Sequence, residues 1–444
     1  MQKMTRATIS FLVAIVLSAA LPESARAQSA SPAAKTTVLE CGRLIDVKSG
    51  NVERDQRVMI EGDRITAVGP AAQIALPANA QRIDLRQATC LPGLLDMHTH
   101  LADGDGTGNY SAGGPLQLSG AQVAFRSIPH ARATLAAGFT TVRDVGTFRA
   151  FTDVALRDAI DKGIVEGPRI VPAGAYVTIS GGAGAITGLA PDIVLPLELR
   201  FGQADGADQV RQRVREIIRH GAGVIKVLAT GAVLTLHSQP GSQEFTYDEL
   251  RAAVEEATKA GLKVACHAHG AAGAKDAIRA GVASIEHGSF LDDEALQMMK
   301  ERGTFLVADL YDDEVILQRV GKSPDEYIEK EKIAGQSQIK VTQRALAMGV
   351  RIAFGTDAAV IPHGDNGKQF AVYVKYGFTP LKAIQTATIE AADLLGWPDR
   401  VGAIERGKFA DVIAVRENPL DNISTLEHVV FVMKGGQVFR NDLH

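Results

Sequence analysis

His98 and His100 stand one residue apart at the end of an apolar run, Leu91-Pro92-Gly93-Leu94-Leu95-Asp96-Met97. In a β-strand, side chains at i and i+2 share a face. The two imidazoles would then project side by side from the strand's C-terminal end, which is half of a metal site. An isolated His-x-His is more often a pair of turn histidines, so the remaining residues decide. Lys226 lies inside the apolar stretch 223–227, His267 ends 264–267, His287 ends 284–287, and Asp357 follows Phe354-Gly355-Thr356. Singly, each has a plain structural reading: a snorkelling lysine, an N-capping aspartate, a satisfied core histidine. Four histidines, a lysine and an aspartate at five strand ends share a need, however. Buried charge without a partner is costly, and a pair of divalent cations is the counter-ion that suits this set.

The elements that must position these residues follow from the pattern. With the opening run, strands are expected at 141–145, 169–177, 224–228, 263–267, 284–287, 304–310 and 351–355. Amphipathic stretches such as 209–220 and 247–260 lie between them. Thr246 with Glu249 is a capping-box signature, and Thr379-Pro380 suits an N-cap followed by proline at the first helical position. Eight strands alternating with helices point to an α/β fold, a (β/α)8 TIM barrel over 91–401, whose active site lies at the C-terminal strand ends. A doubly wound sheet is the alternative. No dinucleotide fingerprint follows any strand, and Gly104-Asp105-Gly106-Thr107-Gly108 is a flexible loop rather than G-x-G-x-x-G. Residues 36–90 are β-rich, with a hairpin turn at Glu61-Gly62-Asp63. The β texture returns from Gly402 through 411–415 and 429–433 to a Gly435-Gly436 turn. The two segments, 36–90 plus 402–444, are expected to form one small β-sandwich domain into which the barrel is inserted.

The 444 residues and net charge of −4 give no electrostatic case for nucleic acid. Residues 1–27 read as a secretory signal: Lys3 and Arg6, an apolar region at 11–21, and Ala25-Arg26-Ala27 before Gln28. Residues 28–35 read as a flexible tail. The expectation is export, to the periplasm of a Gram-negative source, with no membrane attachment after cleavage. Three cysteines, Cys41, Cys90 and Cys266, make no disulfide framework. Cys41 and Cys90 share the small domain and are able to pair; Cys266 needs no role beyond a small buried hydrophobe.

The ligand set in combination resembles the amidohydrolase superfamily. So do Gly138-Phe139-Thr140-Thr141-Val142-Arg143-Asp144 and the tail motif Gly402-Ala403-Ile404-Glu405-Arg406-Gly407-Lys408-Phe409-Ala410-Asp411. Within it the chain is most similar to the imidazolonepropionase-like and Xaa-Pro dipeptidase-like branch, to which the secreted amidohydrolases that cleave ochratoxin A belong. Gly355-Thr356-Asp357 followed by Pro362-His363-Gly364-Asp365-Asn366 resembles those in particular. The resemblance implies two divalent ions, usually zinc. His98, His100 and Asp357 would hold one, His267 and His287 the other, and Lys226, N6-carboxylated, would bridge them. An unmodified ammonium would repel the ions, which leaves a mononuclear site as the fallback. Paired metals lower the pKa of a shared water; the resulting hydroxide would attack an amide carbonyl, with Asp357 relaying the proton to the leaving amine. His269 would contact substrate or support the site, and His237 and His363, on loops, are further candidates for binding substrate. His130 and His220 are expected to be structural, and His428 and His444 to lie far from the site.

Many relatives of this branch carry Thr-Gly-Gly-His-Gly after the third barrel strand. Here Ile179-Ser180-Gly181-Gly182-Ala183-Gly184 puts Ala183 where that histidine would be. Xaa-Pro specificity is thereby in doubt, and the glycines suggest a mobile loop that admits a bulkier acyl group. The reading is a secreted metal-dependent amidase acting on N-acyl amino acids or dipeptides, an ochratoxin-type amide to phenylalanine included. The alternatives are a cyclic amidase of the hydantoinase or imidazolonepropionase kind, or a non-catalytic binding protein on the same barrel. No G-x-S-x-G elbow supports a serine esterase. The resemblance further implies a homo-oligomer, octamers occurring among relatives.

Overall fold

The computed structural model describes residues 36–104 and 114–443. The signal segment, the tail at 28–35, Asp105–Gly108 of the glycine loop and His444 lie outside the described residues.

Four strands open the described chain: β1 (Thr36–Ile45), β2 (Val52–Glu61), β3 (Arg64–Pro70) and β4 (Gln81–Pro92). β2 turns into β3 through Gly62, whose φ of 59° is one that L side chains rarely adopt. After β4 the strands become short and buried on both faces, the signature of parallel sheets covered by helices. β5 (Leu94–Thr99), β6 (Phe139–Asp144) and β7 (Arg169–Pro172) form a three-stranded parallel sheet. β8 (Tyr176–Val177), β9 (Ile225–Leu228), β10 (Val264–Gly270), β11 (Ser284–Phe290), β12 (Phe305–Ala308) and β13 (Ile352–Phe354) form a six-stranded parallel sheet in reverse chain order. The protein is thus a mixed α/β fold with parallel sheets.

The last three strands, β14 (Val412–Val415), β15 (Phe431–Lys434) and β16 (Gln437–Asn441), return to the first four. Together they make one seven-stranded sheet in the order β16-β15-β14-β4-β1-β2-β3. Residues far apart in sequence therefore share a layer: Ala414 pairs with Cys90. A Cys41–Cys90 disulfide ties β1 to β4, and Cys266 is buried and free.

Two expected strands are corrected. The stretch 169–177 is not continuous: it divides into β7 and β8, which sit in different sheets. Pro172 has no N–H to continue a ladder. Gly174 takes φ 77°, donates its N–H to Asp153 Oδ2 at 2.7 Å and accepts from Phe151 N at 2.7 Å. The stretch 304–310 ends at Ala308, because the chain turns into a helix, Leu310–Leu317. That turn brings Asp309, Asp312 and Asp313 beside the strand ends.

The helix Tyr247–Lys259 starts with both halves of the Thr246–Glu249 capping box in place. It buries Glu256 beneath the guanidinium of Arg215 at 2.9 Å and the ammonium of Lys259 at 2.8 Å. These bonds hold the Glu256 carboxyl down at about 2, below its ordinary 4.5. A depressed carboxylate contributes stability that is complete above its unfolded pKa and is lost as pH falls through its folded one. Both partner cations are largely exposed, so the contribution is screened to about 1 kcal/mol. Glu256→Gln should lower the urea midpoint at pH 7, and the gap from wild type should narrow steadily as pH falls from about 4.5 towards 2.

Candidate metal centre

Every residue of β5 is buried, and the strand ends by presenting His98 to the interior. Its ring is fixed from behind. His98 Nδ1 lies 3.0 Å from Glu286 Oε2, and Glu286 is anchored by Arg143 Nη2 at 2.8 Å. Arg143 also donates to the Met97 carbonyl at 2.6 Å and to Ser284 Oγ at 2.9 Å. This fully buried cluster points His98 Nε2 towards Asp357, 3.6 Å away. His100 donates from Nδ1 to the Gly146 carbonyl at 2.8 Å, which leaves Nε2 3.2 Å from Asp357 Oδ1.

The six-stranded sheet supplies the rest. His267 donates from Nε2 to the Gly231 carbonyl at 3.2 Å, leaving Nδ1 for the centre. His287 Nδ1 lies 2.7 Å from Asp309 Oδ2. Lys226, on β9, is 2 % exposed, and among the described residues no hydrogen bond or ion pair ties its ammonium. The rings of His98 and His287 are 4.9 Å apart and those of His267 and His287 4.6 Å. His269 continues β10 on the face of His267, its Nδ1 held by Ser289 Oγ at 2.8 Å. Both His287 (φ 66°) and Asp357 (φ 50°) occupy the left-handed region, a strain that concentrates at functional positions.

The electrostatics fit a cation pair. Burial pushes His98, His267 and His269 well below the ordinary histidine value, so these rings are neutral donors. Burial also lowers Lys226. His100 and His287 go the other way: against burial, the Asp357 carboxylate, with Asp144 and Asp103 behind it, raises His100 to about 9, and Asp309, with Asp357, raises His287. Against its own burial, Asp357 is held well below the carboxylate range by His98, His100 and His287. Asp357 Oδ1 and Asp309 Oδ2 are sealed from solvent and faced by the imidazoles of His100 and His287. His98, His100 and Asp357 bring ligand atoms within 4.8 Å of one another, as do His98, His287 and Asp309. Buried imidazoles, those of His98, His267 and His269 held neutral, around buried carboxylate oxygens are the donor chemistry that zinc-like ions take.

These residues open into a cavity of about 670 Å³. The structure thus brings together His98, His100, Lys226, His267, His269, His287 and Asp357, all of which line it. Two expected substrate contacts are not among them. His237 is exposed, with its backbone N–H bound by Glu326 Oε1 at 2.9 Å. His363 binds the Gly104 carbonyl through Nε2 at 2.9 Å and stacks on His130 at 4.3 Å. His220 is exposed and stacks on Phe151.

The orienting residues Glu286, Arg143, Asp309 and Gln338, whose Nε2 donates to Asp309 Oδ1 at 2.7 Å, escaped the sequence reading. Arg143 did leave a trace, inside the Gly138–Asp144 motif of the family resemblance. The segment around Ala183 is also corrected. It is tied rather than loose: Ala183 N donates to Glu244 Oε2 at 2.9 Å, Thr235 Oγ1 donates to the Ala183 carbonyl at 2.7 Å, and Gly184 N donates to Thr178 Oγ1 at 3.2 Å. Ala183 packs with Leu228 and Ala232 as an apolar wall of the cavity. Ala183→His should therefore reduce kcat/KM for bulky acyl groups about tenfold while sparing small ones; an unchanged acyl profile would remove this wall from specificity.

Comparison with known proteins places this geometry. The sequence profile described as the Amidohydrolase family matches residues 89–439. Ochratoxinase of Aspergillus niger is 35% identical over 428 residues, covering 92% of this chain and 87% of that protein. Its crystal structure superposes with a TM-score of 0.81 over 92% of this chain and 96% of that one, at 31% identity. A crystal structure of a Xaa-Pro dipeptidase with methionine bound in the active site superposes with a TM-score of 0.84 at 37% identity, covering 92% of this chain and all of that one. An imidazolonepropionase of Symbiobacterium thermophilum is 26% identical over 386 residues, 79% of this chain and 81% of that protein.

Proposed function

The chain belongs to the amidohydrolase family, a hydrolase acting on amide bonds, and from that premise we propose that it is a secreted, metal-dependent amidase of N-acyl amino acids or dipeptides, ochratoxin A included. The observation that carries the reading is the convergence of His98, His100, Lys226, His267, His287 and Asp357 on one cavity. His98, His100 and Asp357 would hold one divalent ion and His267 and His287 a second, zinc being the ion that imidazoles suit. Lys226 would stand between them as an N6-carboxylate. Its burial and its lack of a partner among the described residues support this, because a neutral amine is the form that adds carbon dioxide. When bound, such ions polarise a carbonyl and acidify water.

The chain's own residues do the rest. Asp357 takes a proton from the attacking water at its carboxylate and returns it to the leaving amine. His269, held at Nδ1 by Ser289, orients the substrate from the cavity wall. Glu286 and Asp309 fix the rings of His98 and His287, which keeps the donor atoms in place.

The same proposal has the two parallel sheets acting as one (β/α)8 barrel over 91–401, with 36–90 and 402–444 as the small β-domain. The parallel bridge from Thr99 to Ala358, just past β13, supports it. Export by the segment 1–27 is supported by the Cys41–Cys90 disulfide, since such bonds persist in oxidising compartments. No helix among the described residues is long and apolar enough to cross a membrane. A homo-oligomer belongs to the reading through the family resemblance.

The imidazolonepropionase likeness favours a second reading, opening of cyclic amides. One experiment separates them. Metal-quantified protein is offered ochratoxin A, N-acyl-phenylalanines, dipeptides and cyclic ureides, and product is followed by chromatography. Release of phenylalanine from the linear amides is expected. Turnover of the cyclic compounds alone would overturn the proposal.

A further inference from the structure

One wall of the cavity has an excess of negative charge that neither the metal ligands nor the proposed proton relay uses. Asp312 and Asp313, from the helix after β12, and Glu331, from the helix Asp325–Met348, all line it. They are 6 %, 6 % and 3 % exposed. Among the described residues none of the three is paired with a lysine or arginine. Asp313 Oδ2 and Glu331 Oε1 are sealed from solvent with no amide, hydroxyl or cationic donor, and the two carboxyls hydrogen-bond only with each other. Burial first, and then the neighbouring carboxylates, push Asp312 and Asp313 well above the ordinary value; burial raises Glu331 against its hydrogen bond with Asp313. A carboxylate group in this state charges fully only when a cation joins it.

The wall is built rather than incidental. Glu331, Gly335, Gln338 and Thr342 are buried at i, i+4, i+7 and i+11, a polar stripe along one helix face. Gly335 leaves the space that the acids occupy: a methyl there would lie 2.5 Å from Glu331 Oε1 and 2.9 Å from Asp313 Oδ2. Glycine in a helix interior costs about 1 kcal/mol relative to alanine, so the bare position is a concession to the converging carboxylates. Apolar Ile316 and Val360 line the same region and lower the local dielectric, which strengthens any ion pair formed there.

Asp312 lies close to the reacting centre. Its carboxylate and those of Asp309 and Asp357 fall within 4.8 Å of one another. Arg126 and Arg149 line the cavity from the segments that follow β5 and β6. Arg126 is exposed, and Arg149, 3.4 Å from Glu198 Oε1, keeps a buried Nε without a partner; both suit the carboxylate of the released amino acid, which leaves the acidic wall to the acyl side. We propose that Asp312, Asp313 and Glu331 form a subsite for a cationic nitrogen, ammonium or guanidinium, carried by the acyl part of the substrate. The proposal rests on the reading of the protein as a linear amidase. It adds a charge preference: cationic acyl groups above neutral ones, and neutral above anionic.

The test uses metal-loaded full-length enzyme and four phenylalanine amides. Glycyl-phenylalanine carries an α-ammonium, ε-aminocaproyl-phenylalanine a distal one, caproyl-phenylalanine no charge and glutaryl-phenylalanine an anion. A cationic acyl group should raise kcat/KM over caproyl by about tenfold or more. Whether the glycyl or the ε-aminocaproyl amide gains tells which ammonium source the wall receives. The double variant Asp313→Asn with Glu331→Gln should flatten the preference and leave caproyl-phenylalanine turnover in place. Gly335→Ala, which pushes a methyl between the acids while favouring the helix, should do the same. Equal rates for cationic and neutral amides in the wild type would overturn the proposal. So would an equal loss on all four amides in the variants, or loss of a bound divalent ion from them. If no amide is cleaved, the functional reading fails, and calorimetry of ε-aminocaproate against caproate still decides the subsite.

Discussion

Asp357→Asn should keep the fold and most of the bound metal while turnover falls by about 10³-fold or more, the scale of a lost general base and acid. Asparagine is the informative replacement for two reasons. Asp357 sits at φ 50°, a region asparagine tolerates better than other non-glycine residues, so the backbone is not disturbed. The amide also retains an Oδ1 facing His98 and His100, and therefore a ligand atom. It loses the negative charge and the ability to take up a proton. Thermal midpoint, metal content by mass spectrometry and kcat should thus separate: the first two close to wild type, the third collapsed. Near-normal turnover would take Asp357 out of the mechanism. Loss of metal in step with activity would reduce it to a ligand.

How far this site was legible in the sequence depends on the kind of residue. Ligands announce themselves, because a polar side chain at the end of an apolar strand has few structural uses. His98, Lys226, His267, His287 and Asp357 stand out for that reason, and the structure brings them to one cavity. The residues that aim the ligands do not announce themselves. Glu286 precedes His287 in the same strand, but only the three-dimensional fold reveals that it reaches His98 188 residues away. Asp309 falls inside the expected strand 304–310, and Asp312 and Asp313 gain a place beside the strand ends only because the chain turns into a helix at Leu310. The stripe Glu331-Gly335-Gln338 was hidden for a related reason: a helix of mixed polarity reads as solvated unless its buried neighbours are known. Loop histidines are harder to place. His237 and His363 are expected near the site from their loops after barrel strands four and eight, and that they do not line the cavity depends on contacts such as Glu326 and Gly104 that no local pattern encodes. For the same reason 169–177 read as one strand. It is apolar from Ile170 to Val177, and the break comes at Pro172 and at a Gly174 conformation fixed by Asp153 and Phe151.

Lys226→Ala should have the largest effect, and in a way that separates stability from function. Buried lysines are usually removed at a cost because a partner charge is left behind. Here no partner within the described residues would be orphaned. Burial already disfavours the Lys226 ammonium, and the carboxylates that favour it, Glu286 and Asp357, keep Arg143 and the imidazoles of His98 and His100 as partners. In metal-free protein the alanine variant should therefore unfold at a temperature equal to or above that of wild type. Metal loading should show the opposite. On the proposed reading the variant lacks the oxygens that a carboxylated Lys226 would supply, so bound metal should fall below two equivalents per chain and activity should fall by about 10³-fold or more. A short carboxylic acid should restore part of both, because the space vacated by the side chain admits a group with the same two oxygens. The pairing of those results is the sharp part. A variant that keeps full metal and activity would show that Lys226 bridges nothing. A variant that loses thermal stability without its metal would show that the lysine is structural, and the four histidines and Asp357 would then have to be read as a mononuclear centre.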